Sequence, residues 1–112
     1  VANVPDDQII LDIGPETVEL YAEILRTAGT VVWNGPMGYF ELQAFAKGTD
    51  AIARLVAELH TVTIGGGGET LDAINELGLS KQFTFLSTGG GAMLKFLEGK
   101  PLPGLTPLLQ TT

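Results

Sequence analysis

A short β-branched or aromatic run that ends in glycines and gives way to a helical pattern occurs three times in this chain. No other feature limits the fold as strongly. The turns are Trp33-Asn34-Gly35-Pro36-Met37-Gly38 (turn one), Ile64-Gly65-Gly66-Gly67-Gly68-Glu69-Thr70 (turn two) and Ser87-Thr88-Gly89-Gly90-Gly91-Ala92 (turn three). The runs that lead into them are Thr30-Val31-Val32-Trp33, Thr61-Val62-Thr63-Ile64 and Phe83-Thr84-Phe85-Leu86. Each is too short for a helix and reads as a strand, and the first, apolar almost throughout, is expected to be covered on both faces. Apolar stripes at helical spacing follow: Ile52, Leu55, Val56 and Leu59; then Leu71, Ile74 and Leu77; then Met93, Leu94, Phe96 and Leu97. Strands alternating with helices over connections of this length imply right-handed crossovers and a parallel sheet. The expected class is α/β, a three-layer Rossmann-like parallel sheet with helices on both faces.

The remaining boundaries follow from local signals. Pro5-Asp6-Asp7 reads as an irregular entry, and the apolar run Ile9-Ile10-Leu11 as a short strand that stops at Gly14-Pro15. Thr17 opens a helix with Val18, Leu20, Tyr21, Ile24 and Leu25 on one face, ending near Ala28-Gly29. Thr49 or Asp50 is expected as N-cap of the next helix, with a separate short helix over residues 41–47. Gly78 and Gly99 should close the last two helices. The tail Lys100-Pro101-Leu102-Pro103-Gly104-Leu105 is expected to be extended and packed on the surface.

With 112 residues, 45% of them hydrophobic, the chain supports one domain at most but a real core. Its fifteen glycines cluster in the three turns, which points to backbone geometry rather than low complexity. The net charge is −7, a balance that repels nucleic acid and acidic membrane surfaces. None of the six basic residues, Arg26, Lys47, Arg54, Lys81, Lys95 and Lys100, falls within a glycine turn. The absence of cysteine excludes disulfides and thiolate metal sites and suits a reducing, cytoplasmic setting. No apolar run is long enough to span a bilayer, and no signal-peptide pattern opens the chain. A start at Val1 rather than Met fits a processed product or a piece of a longer protein.

A strand that ends in glycines and enters a helix exposes backbone N–H groups at the positive end of the helix dipole, a natural anion site. In parallel sheets ligands bind beyond the carboxyl ends of the strands, where all three turns lie. With no base in the turns, backbone donors, a metal ion or residues from elsewhere must offset the ligand's charge. The general nucleotide fingerprints are absent: neither G-x-G-x-x-G nor the P-loop pattern can be laid on these glycines. Residue physics alone leaves two readings open, phosphate binding or glycines that only permit tight turns.

The combined strings resemble one family. Leu11-Asp12-Ile13-Gly14-Pro15, Trp33 to Gly38 with Phe40-Glu41, Phe45, Gly48-Thr49, Ile64 to Gly67, Ser87 to Ala92, Leu97-Glu98-Gly99-Lys100 and Leu102-Pro103-Gly104 are similar, in order, to phosphoglycerate kinase. The resemblance covers essentially the whole chain. It implies that residues 1–112 are the C-terminal part of the nucleotide-binding domain of a two-domain enzyme, and so a partial domain. It implies reversible phosphoryl transfer between 1,3-bisphosphoglycerate with ADP and 3-phosphoglycerate with ATP, assisted by Mg²⁺. The phosphoglycerate would be held by an N-terminal domain outside this chain, and earlier nucleotide contacts would precede Val1. The segment alone is therefore expected to be inactive, either still binding nucleotide or acting as a folding or self-association module, whereas the full enzyme is expected to be a monomer.

Carried over by motif, Asn34 and the backbone of Gly35, Pro36 and Gly38 would lie beside the nucleotide phosphates, and Glu41 would accept hydrogen bonds from the ribose hydroxyls. Without the resemblance, Asn34 reads as a turn cap and Glu41 as an exposed acid. The family's second turn is Gly-Gly-Gly-Asp followed by Ser or Thr, the aspartate approaching magnesium. Here Gly66, Gly67, Gly68, Glu69 and Thr70 take that place, with Glu69 as metal acid if one glycine is extra, or with Gly68 in the acid position and no acid. Keeping Leu71, Ile74 and Leu77-Gly78 in step with the family's helix favours Glu69. In turn three Gly89, Gly90 and Gly91 resemble the segment whose N–H groups face the transferring phosphoryl group, with Ser87 and Thr88 as caps. Trp33 is expected to pack, His60 to be a loop residue, and Tyr39 either to pack inside or to line the nucleotide pocket.

Overall fold

The computed structural model describes residues 4–99. The proline-punctuated tail lies outside these residues. The element order is α1 (Pro15–Leu25), β1 (Thr30–Asn34), α2 (Lys47–Glu58), β2 (Val62–Gly66), α3 (Gly68–Glu76), β3 (Phe85–Ser87) and α4 (Gly90–Leu97), with short 3₁₀ turns at Gln43–Phe45 and Ser80–Gln82. The three strands form one parallel sheet in the order β1-β2-β3, with Val32 opposite Ile64 and Ile64 opposite Phe85.

The two faces of the sheet differ. Val31 and Trp33 are buried with Ile52, Ala53, Val56 and Ala57 of α2, Ile74 of α3, and Leu79 and Phe83. Trp33 and Phe83 meet as tilted rings with centroids 6.4 Å apart. Neighbouring glycines of β2 report which helix lies on which side. A Cβ on Gly65 would meet Ile74 of α3 and Leu86, whereas one on Gly66 would meet Met93 of α4. Successive strand residues point to opposite faces, so α3 and α4 lie on opposite sides of the sheet. The second face is only partly covered, since Val32 is 41% and Phe85 60% exposed. The expectation that the first strand would be covered on both faces is thus corrected: β1 alternates exposed and buried residues.

Several boundaries shift for local reasons. Ile9-Ile10-Leu11 forms no strand; Ile9 and Ile10 are exposed, and among the described residues no strand pairs with this segment, whose Leu11 carbonyl accepts instead from the Tyr39 N–H of a loop. Helix α1 begins at Pro15, where proline's fixed φ suits the first turn, and its apolar residues divide. Ala22 is buried, with Val18 and Leu25 packed on the core, while Leu20, Tyr21 and Ile24 face outward. Helix α2 starts two residues before the expected Thr49, which instead lies buried inside its first turn. The third run enters its strand late: Phe83 is core, and β3 is only Phe85–Ser87. The hydroxyls of Thr63 and Thr84 each accept the other residue's N–H, at 3.1 and 3.0 Å, and so extend the β2–β3 pairing by one step. Gly78 and Gly99 end α3 and α4 with positive φ, as expected.

Candidate functional site

All three turns leave the sheet at the carboxyl ends of their strands, and side chains join them. The Gly35 N–H donates to Thr70 Oγ1 at 2.7 Å, linking turn one to the first turn of α3. The Gly35 carbonyl accepts from Trp33 Nε1 at 2.6 Å. The Met37 N–H donates to Thr49 Oγ1 of α2 at 3.0 Å. The Gly67 N–H donates to the Ser87 carbonyl at 2.9 Å, which ties turn two to the strand leading into turn three. Thr49 and Thr70 are both fully buried, so each hydroxyl satisfies a backbone donor that would otherwise be costly to desolvate.

The Asn34 amide stands between turns two and three. A Cβ on Gly90 would lie 2.8 Å from Asn34 Nδ2 and 2.8 Å from both N and Cα of Gly67. Only glycine fits there, and that contact brings the start of α4 against the start of α3. Gly67, the residue before α3, has φ +96, a conformation that L side chains rarely adopt. The N-termini of two helices therefore converge beside one amide, an arrangement of helix N–H groups and dipoles that suits an anion.

Gly68 and Gly91 stand apart from the other turn glycines. Both have ordinary negative φ, and a Cβ on either would meet nothing within 4 Å. The fold does not need glycine at either position. Each is exposed in the first turn of its helix, Gly68 in α3 and Gly91 in α4.

The residues singled out from the sequence divide accordingly. Asn34, Gly67 and Gly90 meet where the helix ends converge, and Gly68, Glu69, Gly89 and Gly91 are their chain neighbours at the starts of α3 and α4. Gly66 is a buried residue of β2, and Thr70 is buried beneath the site with its oxygen engaged by Gly35. In turn one the Gly35 and Met37 N–H groups are committed to Thr70 and Thr49, Pro36 has none, and the exposed polar groups are the Asn34 amide and the Glu41 carboxylate. Glu41 sits, exposed, in the turn before the Gln43–Phe45 helix. In turn three Ser87 Oγ accepts the Gly89 N–H at 3.2 Å, a local turn bond ahead of α4, whose N-cap Gly89 has no side-chain cap, so the expected capping by Ser87 is corrected. Gly65 pairs with Trp33 and Leu86 as a strand residue, so turn two proper begins at Gly67 and Glu69 is the second residue of α3, exposed.

Among the described residues no three His, Cys, Asp or Glu side chains gather to hold a metal ion. A lone carboxylate at the edge of an anion site still fits Mg²⁺, which is commonly held by one or two carboxylates together with substrate phosphates. Tyr39 is 52% exposed and lines, with Ile10, Leu11, Met37 and Gly38, a cavity of about 320 Å³ beside turn one. His60 lies before β2 at the opposite, amino end of the sheet, in a groove with Arg26 and Glu58. What the sequence reading missed is the set of long-range anchors, Thr49 and Asp12 together with the buried role of Thr70. Their only sequence signal is a hydroxyl or carboxylate near a glycine turn.

Known proteins converge on the same identification. The family model described as phosphoglycerate kinase matches residues 1–100. A phosphoglycerate kinase of Pelotomaculum thermopropionicum is 56% identical over 109 residues, covering 97% of this chain and 28% of its own length. One from Clostridium novyi is 57% identical over 107 residues, covering 96% of this chain and 27% of its own length. Among solved structures, the phosphoglycerate kinase from Pyrococcus horikoshii matches 92% of this chain with a TM-score of 0.82 at 43% identity, across 25% of that protein. The one from Coxiella burnetii matches 81% with a TM-score of 0.76 at 50% identity, across 24% of that protein. The chain thus spans between 24% and 28% of the length of these relatives. With a family model matched over nearly its whole length, this chain belongs to the phosphoglycerate kinase family.

Proposed function

We propose that residues 1–112 serve as the latter part of the C-terminal, nucleotide-binding domain of a phosphoglycerate kinase. In this reading they bind Mg²⁺-ADP or Mg²⁺-ATP for reversible phosphoryl transfer between 1,3-bisphosphoglycerate and ADP, giving 3-phosphoglycerate and ATP. The observation that carries it is the convergence of two helix N-termini on Asn34, with Gly68 and Gly91 exposed beside it at positions where the fold itself does not require glycine.

Each residue then acts through its position. The N–H groups at the starts of α3 and α4 face the phosphate chain; in turn three, where Ser87 holds the Gly89 N–H, those of Gly90 and Gly91 receive the equatorial oxygens of the moving phosphoryl group, where fixed dipoles are most effective. Asn34 donates to phosphate from between the two helix ends. Glu41 accepts from the ribose hydroxyls, and the cavity lined by Leu11, Met37 and Tyr39 offers an apolar wall on the same side. Glu69 would hold Mg²⁺. When bound, the ion neutralises phosphate charge, which this chain, with net charge −7 and no base in its turns, does little to offset. Thr70 keeps turn one docked against α3 from beneath.

Glu69→Ala in the full-length enzyme should weaken ADP binding in magnesium by about ten-fold, a loss typical of one metal-directed ligand, and leave metal-free binding unchanged. Equal losses with and without magnesium would remove the metal role. The phosphoglycerate site belongs to the absent N-terminal domain, so the purified 112-residue chain should show no coupled turnover; activity that survives removal of contaminating kinase would overturn this. The setting is the cytoplasm and the full enzyme is a monomer.

A second reading is favoured by the outer flank of the sheet. Beside β1, Tyr21, Ile24, Leu25, Val32 and Trp33 border an apolar cavity of about 240 Å³, and strand edges of this kind recruit other chains. In this reading the isolated segment is a self-association module. Sedimentation combined with Mg²⁺-ADP titration decides: a monomer that binds supports the first reading, a dimer that does not bind supports the second.

A further inference from the structure

Asp12 joins three segments that the sequence keeps far apart. Its Oδ2 accepts the Gly48 N–H of α2 at 2.9 Å, and its Oδ1 accepts the Ile13 N–H at 2.8 Å. The residue before α2, Ala46, offers no capping side chain, so the carboxylate of Asp12 acts as the cap of that helix from 36 residues away. Turn one rests on the same residue. A Cβ on Gly38 would lie 2.6 Å from Asp12 Oδ1 and 2.8 Å from Asp12 Cα, and one on Gly48 would also strike the carboxylate. The backbone adds a further tie, because the Tyr39 N–H donates to the Leu11 carbonyl at 2.8 Å. The loop continues from there without a break: Phe40 donates to Gly38 and Leu42 to Tyr39, so Glu41 sits on a turn whose base is pressed against Asp12.

We propose that Asp12 is a positioning residue for nucleotide binding: by bridging the start of α2 to the 11–13 segment, it forms the floor on which Gly38 and Tyr39 seat and so sets the height of the loop that carries Glu41. It touches no ligand itself. The proposal rests on the nucleotide reading above. Two glycines packed against one carboxylate, together with two N–H groups that it satisfies, distinguish Asp12 from a generic helix cap, which needs only the second.

The test compares Asp12→Asn and Asp12→Ala with the unmodified full-length enzyme, measuring kcat, the KM for ADP and for 1,3-bisphosphoglycerate, Mg²⁺-ADP affinity by calorimetry, and amide exchange at Tyr39 and Gly48. Asp12→Ala should raise the ADP constants about ten-fold, the scale of one charge-assisted hydrogen bond lost, with the KM for 1,3-bisphosphoglycerate and kcat within two-fold, and should speed exchange at both amides. Asp12→Asn, which retains one acceptor oxygen, should recover most of the affinity, and it carries the test if Asp12→Ala does not fold. A lower melting temperature with unchanged ADP constants, or equal rises in both KM values, overturns the proposal. An unmodified enzyme that fails to bind Mg²⁺-ADP instead overturns the nucleotide reading beneath it.

Discussion

The carboxyl end of the sheet and the outer flank of β1 belong to the same three strands, yet they are finished differently. At the carboxyl end, backbone donors of turns one and two meet partners supplied by the chain itself: Gly35 meets Thr70, Met37 meets Thr49 and Gly67 meets the end of β3. Along the flank, Val32 is 41%, Tyr21 43% and Ile24 68% exposed, and apolar side chains border a cavity instead of filling it. The contrast teaches that this stretch of sequence holds what it needs to tie its glycine turns together but not what it needs to cover its own sheet. Local recognition and global stability are encoded over different lengths of chain.

Substitutions can break that contrast, in decreasing order of effect. Ile74→Ala, at 0% exposure beneath the turns, should destabilise by about 2–5 kcal/mol in denaturant unfolding, because a cavity remains where the sheet meets α3. A much smaller loss would mean that the turn end is no better packed than the flank. Gly90→Ala should cost about 1–3 kcal/mol, since its methyl meets the Gly67 backbone as well as the Asn34 side chain, whereas Gly91→Ala should leave stability within about 0.5 kcal/mol and weaken nucleotide binding. Equal melting temperatures for the two variants would undo the distinction between fold-required and ligand-required glycines. Thr70→Val, which keeps the shape but strands the Gly35 N–H, should lose about 1–3 kcal/mol, with Thr70→Ser losing less. Ile24→Ser, on the open flank, should change monomer stability by no more than about 0.5 kcal/mol while lowering any tendency to associate, as read by sedimentation. A large loss of stability there would show the flank to be as finished as the site.

Much of the fold can be read from the order of residues because it depends on near neighbours. The runs at Thr30 and Thr61, the helix spacing of Ile52 and Val56, and the closing glycines at 78 and 99 carry their own local reasons, and the structure follows them. Errors arose where a distant partner decides. Ile9-Ile10-Leu11 has the composition of a strand but meets no strand to pair with among the described residues. Val32 reads as interior, yet its face of the sheet is only partly roofed. Thr49, like Asp50, reads as a cap of its own helix, whereas its hydroxyl holds Met37, 12 residues earlier. The glycine turns of the site were legible for a similar reason, being contiguous strings, whereas Asp12 and the buried role of Thr70 depend on contacts 36 and 35 residues apart and leave almost no local trace.

The crowding at Gly90 also says how this segment can diverge. Of the three glycines in turn three, only Gly90 is hemmed in by both a side chain, Asn34, and a backbone, that of Gly67. Shortening Asn34 would relieve the first obstruction but not the second. No single compensating change at position 34 reopens position 90, so a library randomised over 34, 67 and 90 should return glycine at 90 whatever is chosen at 34, while 89 and 91 drift whenever selection asks only for a folded protein.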